Sequence, residues 1–391
     1  MKQIIKIVSS PKIFVYTIIW LMVLVVLGTL AQRDIGLYAS QQKYFSANIT
    51  WLGGIIPVPG GRITMIIMLV NLTFMVLFKQ NLWKIKKIGV LIMHIGALLL
   101  LIGGGLTAIF SSEGNMVIEE GAQSNRVDDY HDTELTIINT SNENLDKYTV
   151  FDQPILGKGN ILSHENLNFN IEIISYLRNC EPLKRTAPAG IHYKGMLKNF
   201  MLRSLRPEKE NSRNRPGITY RITNSGSSSD GIYGLFLGQS VPQTAVINNQ
   251  NYEFIIRRKR TYLPFAIELL DFKKVMHSGT GIAKSYSSEV NLIENGIPRR
   301  VLIEMNEPLR HKGYTFFQSS FIEGPEGEAT VLAAVKNYGR SFPYISSIIM
   351  SIGLLLHLLK SIPKLLKKNL RVAAVSYTHL RAHETRHDLV C

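Results

Sequence analysis

The sequence predicts an α-helical membrane protein with four transmembrane helices, three near the N-terminus and one near the C-terminus, and a large β-rich extracytoplasmic domain. Three observations lead to this fold class. Long apolar runs are confined to the two ends of the chain. Basic residues cluster before the first run, between the second and third runs, and after the fourth, which is one side of the membrane if the runs alternate in direction. Between the third and fourth runs, apolar and polar residues alternate in short segments, which is typical of strands.

The apolar runs are long enough, or nearly long enough, to cross a bilayer. They occupy residues 13–31, 63–78, 88–110 and 342–359. The first run lacks a small-residue cleavage site in the right place and further runs follow it, so we interpret it as a retained helix and not as a signal peptide. Pro343 suits the first turn of the last helix.

Basic residues predict the orientation of these helices. If the helices alternate in direction, three lysine-rich clusters fall on one side, which the positive-inside rule makes cytoplasmic. The clusters are Lys2, Lys6 and Lys12; Lys79, Lys84, Lys86 and Lys87; and Lys360, Lys364, Lys367, Lys368 and Arg371. We therefore expect both termini to be cytoplasmic. The predicted domains are a membrane region at 1–110, an extracytoplasmic domain at 111–341, and a fourth helix with a basic end at 342–371.

The extracytoplasmic domain, about 230 residues long, is large enough for its own core. Alternation predicts a strand at 168–177 and two strands in 251–275 around a turn at 261–264. Asn295-Gly296 lies between two alternating runs and predicts a hairpin in 288–306. Residues 313–322 predict an aromatic-rich strand, with a free edge that could add a peptide strand at 314–317. The basic, Ser- and Pro-broken stretch 194–216 predicts a flexible excursion.

The last residues follow no earlier pattern. Residues 375–391 read VSYTHLRAHETRHDLVC and resemble the translation of a sequencing adaptor, so we exclude 372–391 from fold reasoning and expect a different natural C-terminus. The alternative is a His-rich metal-binding tail. The exclusion removes His379, His383, His387 and Cys391. Cys180 is then the sole cysteine, which rules out an intramolecular disulfide or a CxxC pair.

The sequence carries no motif of a known catalytic site. It has no nucleophile elbow, no phosphate-binding glycine loop, no HExxH and no CxxCH. Asp128, Asp129 and Asp132 lie near His131 and could suggest a metal, but we interpret them as a solvated turn. The net charge of +15 does not imply nucleic-acid binding, because basic residues sort the topology of membrane proteins.

His94 is the unusual residue of the third helix, because a polar side chain in mid-span is costly and suggests a function. It lies seven residues beyond Lys87, about 10 Å into the span. Gly89, Gly96 and Gly103 form a stripe that lets another helix approach. His94 is about 200° around the helix from Gly96. We expect the stripe to pack against a helix of this chain and His94 to face elsewhere, as a hydrogen-bonded packing residue, a proton relay or a haem ligand.

His357 is the other histidine in an apolar run. It lies close to Lys360 at the cytoplasmic end of the last helix. A position at the membrane interface explains it without a ligand, because polar side-chain tips can reach water there.

The sequence resembles the ResB (CcsB) family of cytochrome c biogenesis proteins. The segments that carry the resemblance are GTLAQ (28–32), MHIGALLLLIGG (93–104), NMVIEEG (115–121), NEPLRHKGYTFFQSSF (306–321) and VKNYGRSFPYISSIIMSIGLLLHLL (335–359). Their order and the layout of three helices, an outer domain and a fourth helix agree with the family.

The resemblance implies a function in system II cytochrome c biogenesis. Family members act with a CcsA-type membrane partner, separate or fused, to export haem across the bacterial inner membrane and attach it to CxxCH apocytochrome c on the periplasmic side. It implies that His94 is an axial ligand to haem b, with a second histidine from the partner; His357 is a weaker candidate. The family's Trp-rich haem motif belongs to the partner and is absent here. The chain alone is then not catalytic. The alternative is a membrane-tethered ligand-binding or sensory protein.

Overall fold

The computed structural model of the chain describes residues 2–142, 145–226, 228–279, 283–324 and 327–384. The chain divides into a helical unit and a β unit. The helical unit comprises Met1–Gly28, Lys43–Ser111 and Asn337–Cys391, and the β unit comprises Thr29–Gln42 and Ser112–Lys336.

The α-helices are α1 (Lys2–Val8), α2 (Pro11–Ile35), α3 (Leu37–Ser40), α4 (Gly61–Phe78), α5 (Ile88–Phe110) and α6 (Phe342–Glu384). Short turns of π-helix (Gln41–Ser46) and 3₁₀-helix (Gln80–Leu82, Ile85–Lys87, Gln153–Ile155, Gly195–Lys198, Asn211–Arg213) lie between elements. A hairpin of β1 (Ile49–Leu52) and β2 (Ile56–Pro59) precedes α4.

Within the described residues, four helical segments are long and apolar enough to cross a membrane: Lys2–Ile35, Gly61–Phe78, Ile85–Phe110 and Phe342–Pro363. The predicted number and chain positions of these helices are confirmed. Helix α6 continues beyond the predicted end at residue 359, with Pro363 inside it. The adaptor-like residues 385–391 lie outside the described residues.

The β unit is built from antiparallel strands. They are β3 (Ser112–Glu119), β4 (Gln123–Asn139), β5 (Lys147–Asp152), β6 (Ile161–Leu162), β7 (Asn170–Leu177), β8 (Cys180–Lys184), β9 (Phe200–Ser204), β10 (Gly217–Thr223), β11 (Gly231–Phe236), β12 (Gln243–Ile247), β13 (Gln250–Met276), β14 (Ala283–Glu294), β15 (Ile297–Glu304), β16 (Leu309–His311), β17 (Tyr314–Gly324) and β18 (Gly327–Lys336).

A large sheet runs in the order β15-β14-β13-β4-β3-β18-β17-β16, and β5 and β12 pair with β4 and β13. A smaller sheet has the order β11-β10-β7-β6, and β8 and β9 form a separate hairpin. Apolar side chains of the small sheet, including Ile171, Ile218 and Tyr220, pack against Leu135 and Phe254 of the large sheet. A further core lies beside the other end of β13, with side chains from β3, β14, β15, β17 and β18.

The turn predicted at 261–264 is wrong, because β13 runs unbroken from Gln250 to Met276. Its pairing with β4 shifts register between Tyr262 and Ile267, and its pairing with β14 begins only at Ala266. Pro264 lies in this gap. A proline cannot donate to a ladder, so it is tolerated where ladder bonds are interrupted. The turn signal therefore marks an irregularity within one strand.

Other strand predictions are confirmed. Asn295 and Gly296 have φ values of 50° and 79° and join β14 to β15, as a type I′ hairpin requires.

The aromatic strand is β17, but its predicted free edge is wrong at 314–316, where β16 and β18 pair with both sides. The stretch 194–216 holds β9, which pairs with β8, so it is not without regular structure.

Candidate functional site

The glycine stripe of α5 packs against α6, as the sequence predicts. Gly89, Gly96 and Gly103 are buried. A Cβ on Gly96 would lie 2.5 Å from Met350 Cγ and 3.0 Å from the Ser346 carbonyl oxygen. Glycine suits these positions because α6 occupies the space of a side chain, with backbone atoms at Gly89, backbone and Met350 atoms at Gly96, and the Phe342 side chain at Gly103.

His94 lies on a different face of α5. Its ring Nδ1 is 2.7 Å from the carbonyl oxygen of Val90, one turn earlier. A carbonyl can only accept, so Nδ1 carries the proton and donates it. In the neutral form of the ring, Nε2 then carries the lone pair. No partner for Nε2 is found among the described residues. The side chain is half-buried.

The hydrogen bond to Val90 determines which ring nitrogen of His94 carries the proton. A histidine that binds a metal through one ring nitrogen usually donates the other N–H to a carbonyl or carboxylate, which fixes the tautomer and the ring orientation. The Val90 carbonyl supplies such an acceptor from the same helix. Val90 therefore orients the ring of His94 and, among the described residues, leaves Nε2 without a protein partner.

His357 lies in α6 beside Gly89, whereas Phe342 lies beside Gly103 at the other end of the stripe. Its backbone nitrogen would be 2.7 Å from a Cβ on Gly89, and its Nε2 is 3.5 Å from Ser361 Oγ. Nearby, Lys360 Nζ donates to the carbonyl oxygen of Ile85 over 3.0 Å. No hydrogen bond or ring contact joins the side chains of His94 and His357 in the described part of the chain.

The acidic residues around His131 form a bulge of β4 and not a turn. Thr133 pairs with Arg258 and Asp128 with Arg260, so residues 129–132 lie opposite Lys259 alone. Oδ1 of Asp129 accepts the backbone N–H groups of His131 and Asp132 over 2.7 and 2.8 Å. No group of three His, Cys, Asp or Glu side chains in the described ranges could hold a metal ion.

Beyond the edge at 314–317, the sequence predicts no binding surface in the β unit. One cavity of this unit is nevertheless lined by polar residues from distant segments. It lies beside this bulge and has a volume of about 260 Å³. Its walls come from Tyr38, His131, Tyr176, Arg178 and Arg258, among others. The clustered acidic residues at 128–132 were the available signal, because they mark the bulge that places His131.

Comparison with known proteins finds a family whose model matches two segments of the chain. The model of the ResB-like family matches residues 84–150 and 231–343. The first segment contains His94, and the second contains β11 to β18. Protein NrfI of Wolinella succinogenes is 25% identical over 281 residues, covering 68% of this chain and 27% of NrfI. The chain therefore spans well under two thirds of that relative's length.

Proposed function

This chain is a ResB-like protein, and on that premise we propose that it acts in cytochrome c maturation as a component of the system II cytochrome c synthase. In this function it assists the export of haem across the membrane and its delivery to CxxCH apocytochromes on the outer face. Membership of the ResB-like family supports the maturation role. The haem b that passes through is a substrate of the complex and not a resident cofactor.

The observation that carries the haem-handling part is the free Nε2 of His94. Iron in a low-dielectric span needs axial donors. The Val90 carbonyl holds the ring in the tautomer that leaves Nε2 unprotonated. His94 supplies one ligand from α5, and a CcsA-type partner, fused or separate, supplies the second histidine and the bond-forming chemistry. His357 is the weaker candidate for a haem ligand, because its position at the membrane interface explains the residue without haem.

The proposal places the chain in the bacterial inner membrane with both termini in the cytoplasm and the β unit in the periplasm. The four apolar helical segments found within the described residues support an integral membrane protein. The basic clusters before residue 13, between α4 and α5, and after residue 359 support the orientation. The side on which the β unit lies decides whether it can meet apocytochromes.

The haem proposal is tested by co-expression with the CcsA-type partner. The wild-type complex should purify with haem, and His94→Ala should lose most of it. The substitution leaves a hole about the size of an imidazole, so free imidazole should restore part of the haem and the low-spin spectrum. His357→Ala is the matched control and should keep most of its haem. Unchanged haem in His94→Ala would reduce that residue to a packing role.

A further inference from the structure

The cavity beside the β4 bulge has the features of a ligand site. Several segments that are far apart in sequence enclose it. Tyr38 comes from α3, His131 from the bulge, and Asn211 and Asn214 from the loop after β9. Tyr176 and Arg178 lie at the end of β7 and just beyond it, and Arg258 lies in β13.

Close backbone contacts fix the walls. Gly36, just before α3, has a φ of 81°, and a Cβ on it would overlap the Lys209 backbone. Glycine is the residue that adopts this conformation at no steric cost. Arg258 ties the bulge to the other loop, since its Nη1 and Nη2 donate to the carbonyl oxygens of His131 and Ser212, each over 3.2 Å. These contacts hold the lining residues in place before any ligand arrives.

His131 contributes an aromatic wall and not a positive charge. Its ring stacks on Tyr38 with centroids 3.9 Å apart and planes at 23°. The amide Nδ2 of Asn211 lies 3.0 Å from His131 Nδ1 and, as a donor, requires Nδ1 to be the unprotonated nitrogen. Burial lowers the pKa of His131 as well, which agrees with a neutral ring at pH 7.

The two arginines keep unused hydrogen-bonding capacity. A guanidinium has five N–H donors. Arg258 uses its terminal nitrogens on two carbonyl groups, and Arg178 lies with its guanidinium carbon 5.8 Å from the centre of the Tyr38 ring. Neither arginine forms a salt bridge with a residue that the structure describes. Burial lowers the pKa of Arg258, and a half-buried cation without a contacting anion is costly.

Other donors lie at the same walls. Oε1 of Gln153 accepts both the backbone N–H and the hydroxyl of Thr133, over 3.0 and 2.9 Å. The amide group of Gln153 is thereby oriented, and its NH₂ group has no partner among the described residues. The cavity is thus rich in donors, which suits an anion.

The charge of the surroundings selects the class of anion. Asp129 and Asp132 are near enough to influence the pKa of Arg258, so the positive charge of the site is partly offset. The attraction of a second negative charge to the arginines is offset by its repulsion from these carboxylates, so a phosphate dianion gains little over a monoanion. A carboxylate matches the planar fork of an arginine with a single charge.

We propose that the cavity lined by Tyr38, His131, Gln153, Arg178 and Arg258 binds a carboxylate group. The carboxylate belongs either to a free small acid or to an acidic side chain of a peptide, and the chemistry of recognition is the same. The site is independent of His94 and of haem ligation.

The test uses the full chain in detergent and isothermal titration calorimetry at constant ionic strength. The probes are acetate, a blocked Gly-Asp-Gly peptide, and inorganic phosphate. Wild type should bind a carboxylate probe saturably and bind phosphate more weakly. Arg258→Gln should weaken carboxylate binding by at least about tenfold, the loss typical of a charged hydrogen bond. Arg178→Gln, on a more exposed side chain, provides a second variant if Arg258→Gln does not fold.

Arg221→Gln is the matched control, because Arg221 lies in β10 and pairs with Glu172 outside the cavity. It should bind the probes like wild type. Tighter binding of the peptide assigns the site to protein segments, and tighter binding of acetate assigns it to small acids. The proposal is overturned if phosphate binds best, if no carboxylate binds, or if both arginine variants bind like wild type.

Discussion

Gly89 of α5 and Gly353 of α6 lie back to back with no space for a side chain on either residue. A Cβ on Gly89 would be 2.7 Å from the carbonyl oxygen of Gly353, and a Cβ on Gly353 would be 2.8 Å from the carbonyl oxygen of Gly89. The obstructing atoms belong to the backbone, so neither helix could relieve the clash by a rotamer change. The distance between the two helices depends on both glycines.

Gly89→Ala should therefore destabilise the helix pair by about 1–3 kcal/mol, the usual cost of overpacking. Gly104→Ala is the matched control, since a Cβ there meets nothing within 4 Å. The two substitutions gain the same helix propensity, about 1 kcal/mol, so their difference isolates the clash. Thermal unfolding of the detergent-solubilised protein measures both. Equal midpoints for the two variants would show that the helices separate without cost.

The glycine stripe could be predicted because its three residues lie in one helix and are spaced by seven. The position of His94 relative to the stripe also followed from helix geometry alone. What could not be predicted was the tautomer of His94, because that depends on the rotamer that brings Nδ1 to Val90.

The cavity in the β unit could not be predicted for a different reason. Tyr38, His131 and Arg258 are separated by 93 and 127 residues, and only tertiary pairing brings them together. The same limit explains the error in β13. Pro264 signals a turn locally, but the partners on both sides of it continue one strand.

Glu134 and Arg257 form an ion pair inside the β unit, with 2.7 Å between Oε1 and Nε and side chains only 4% and 13% exposed. Arg257→Ala should destabilise the protein by about 3–5 kcal/mol, because it leaves a buried carboxylate unpaired. Glu210→Ala breaks a pair whose side chains are 61% and 74% exposed and should cost less than about 1 kcal/mol. Thermal or denaturant unfolding gives the comparison. A loss in Arg257→Ala no larger than in Glu210→Ala would argue against a buried charge pair.

Cys180 should resist alkylation in the folded protein. The side chain is 1% exposed, and burial raises the pKa of its thiol from 9.0 to about 11, although Arg215 opposes the shift. At pH 8 roughly a thousandth of the thiol is ionised, and the thiolate is the reactive form. Iodoacetamide labelling of the Cys391→Ser variant, followed by mass spectrometry, isolates Cys180. Labelling should be slow in the folded protein and rapid in guanidinium.

The same pKa shift has a consequence for stability. Folding raises the pKa of Cys180, so the folded state binds its proton more tightly than the unfolded state does. This contribution is complete below pH 9.0 and is lost as the pH rises towards 11. Cys180→Ala removes the titrating group, and its unfolding free energy should fall less than that of wild type between these pH values. Parallel curves for the two proteins would refute the shift.

The orientation of the chain should be readable from single cysteines placed on the two predicted sides of the membrane. Lys84 precedes α5 and Lys158 lies in the loop before β6; both are exposed. In the Cys391→Ser background, the buried Cys180 contributes little signal. A membrane-impermeant maleimide added to spheroplasts should label Lys158→Cys at once and Lys84→Cys only after permeabilisation. The reason is that the positive-inside rule predicts a cytoplasmic position for the basic cluster at 79–87. Labelling of Lys84→Cys from outside would reverse the topology and place the β unit on the wrong side for periplasmic apocytochromes.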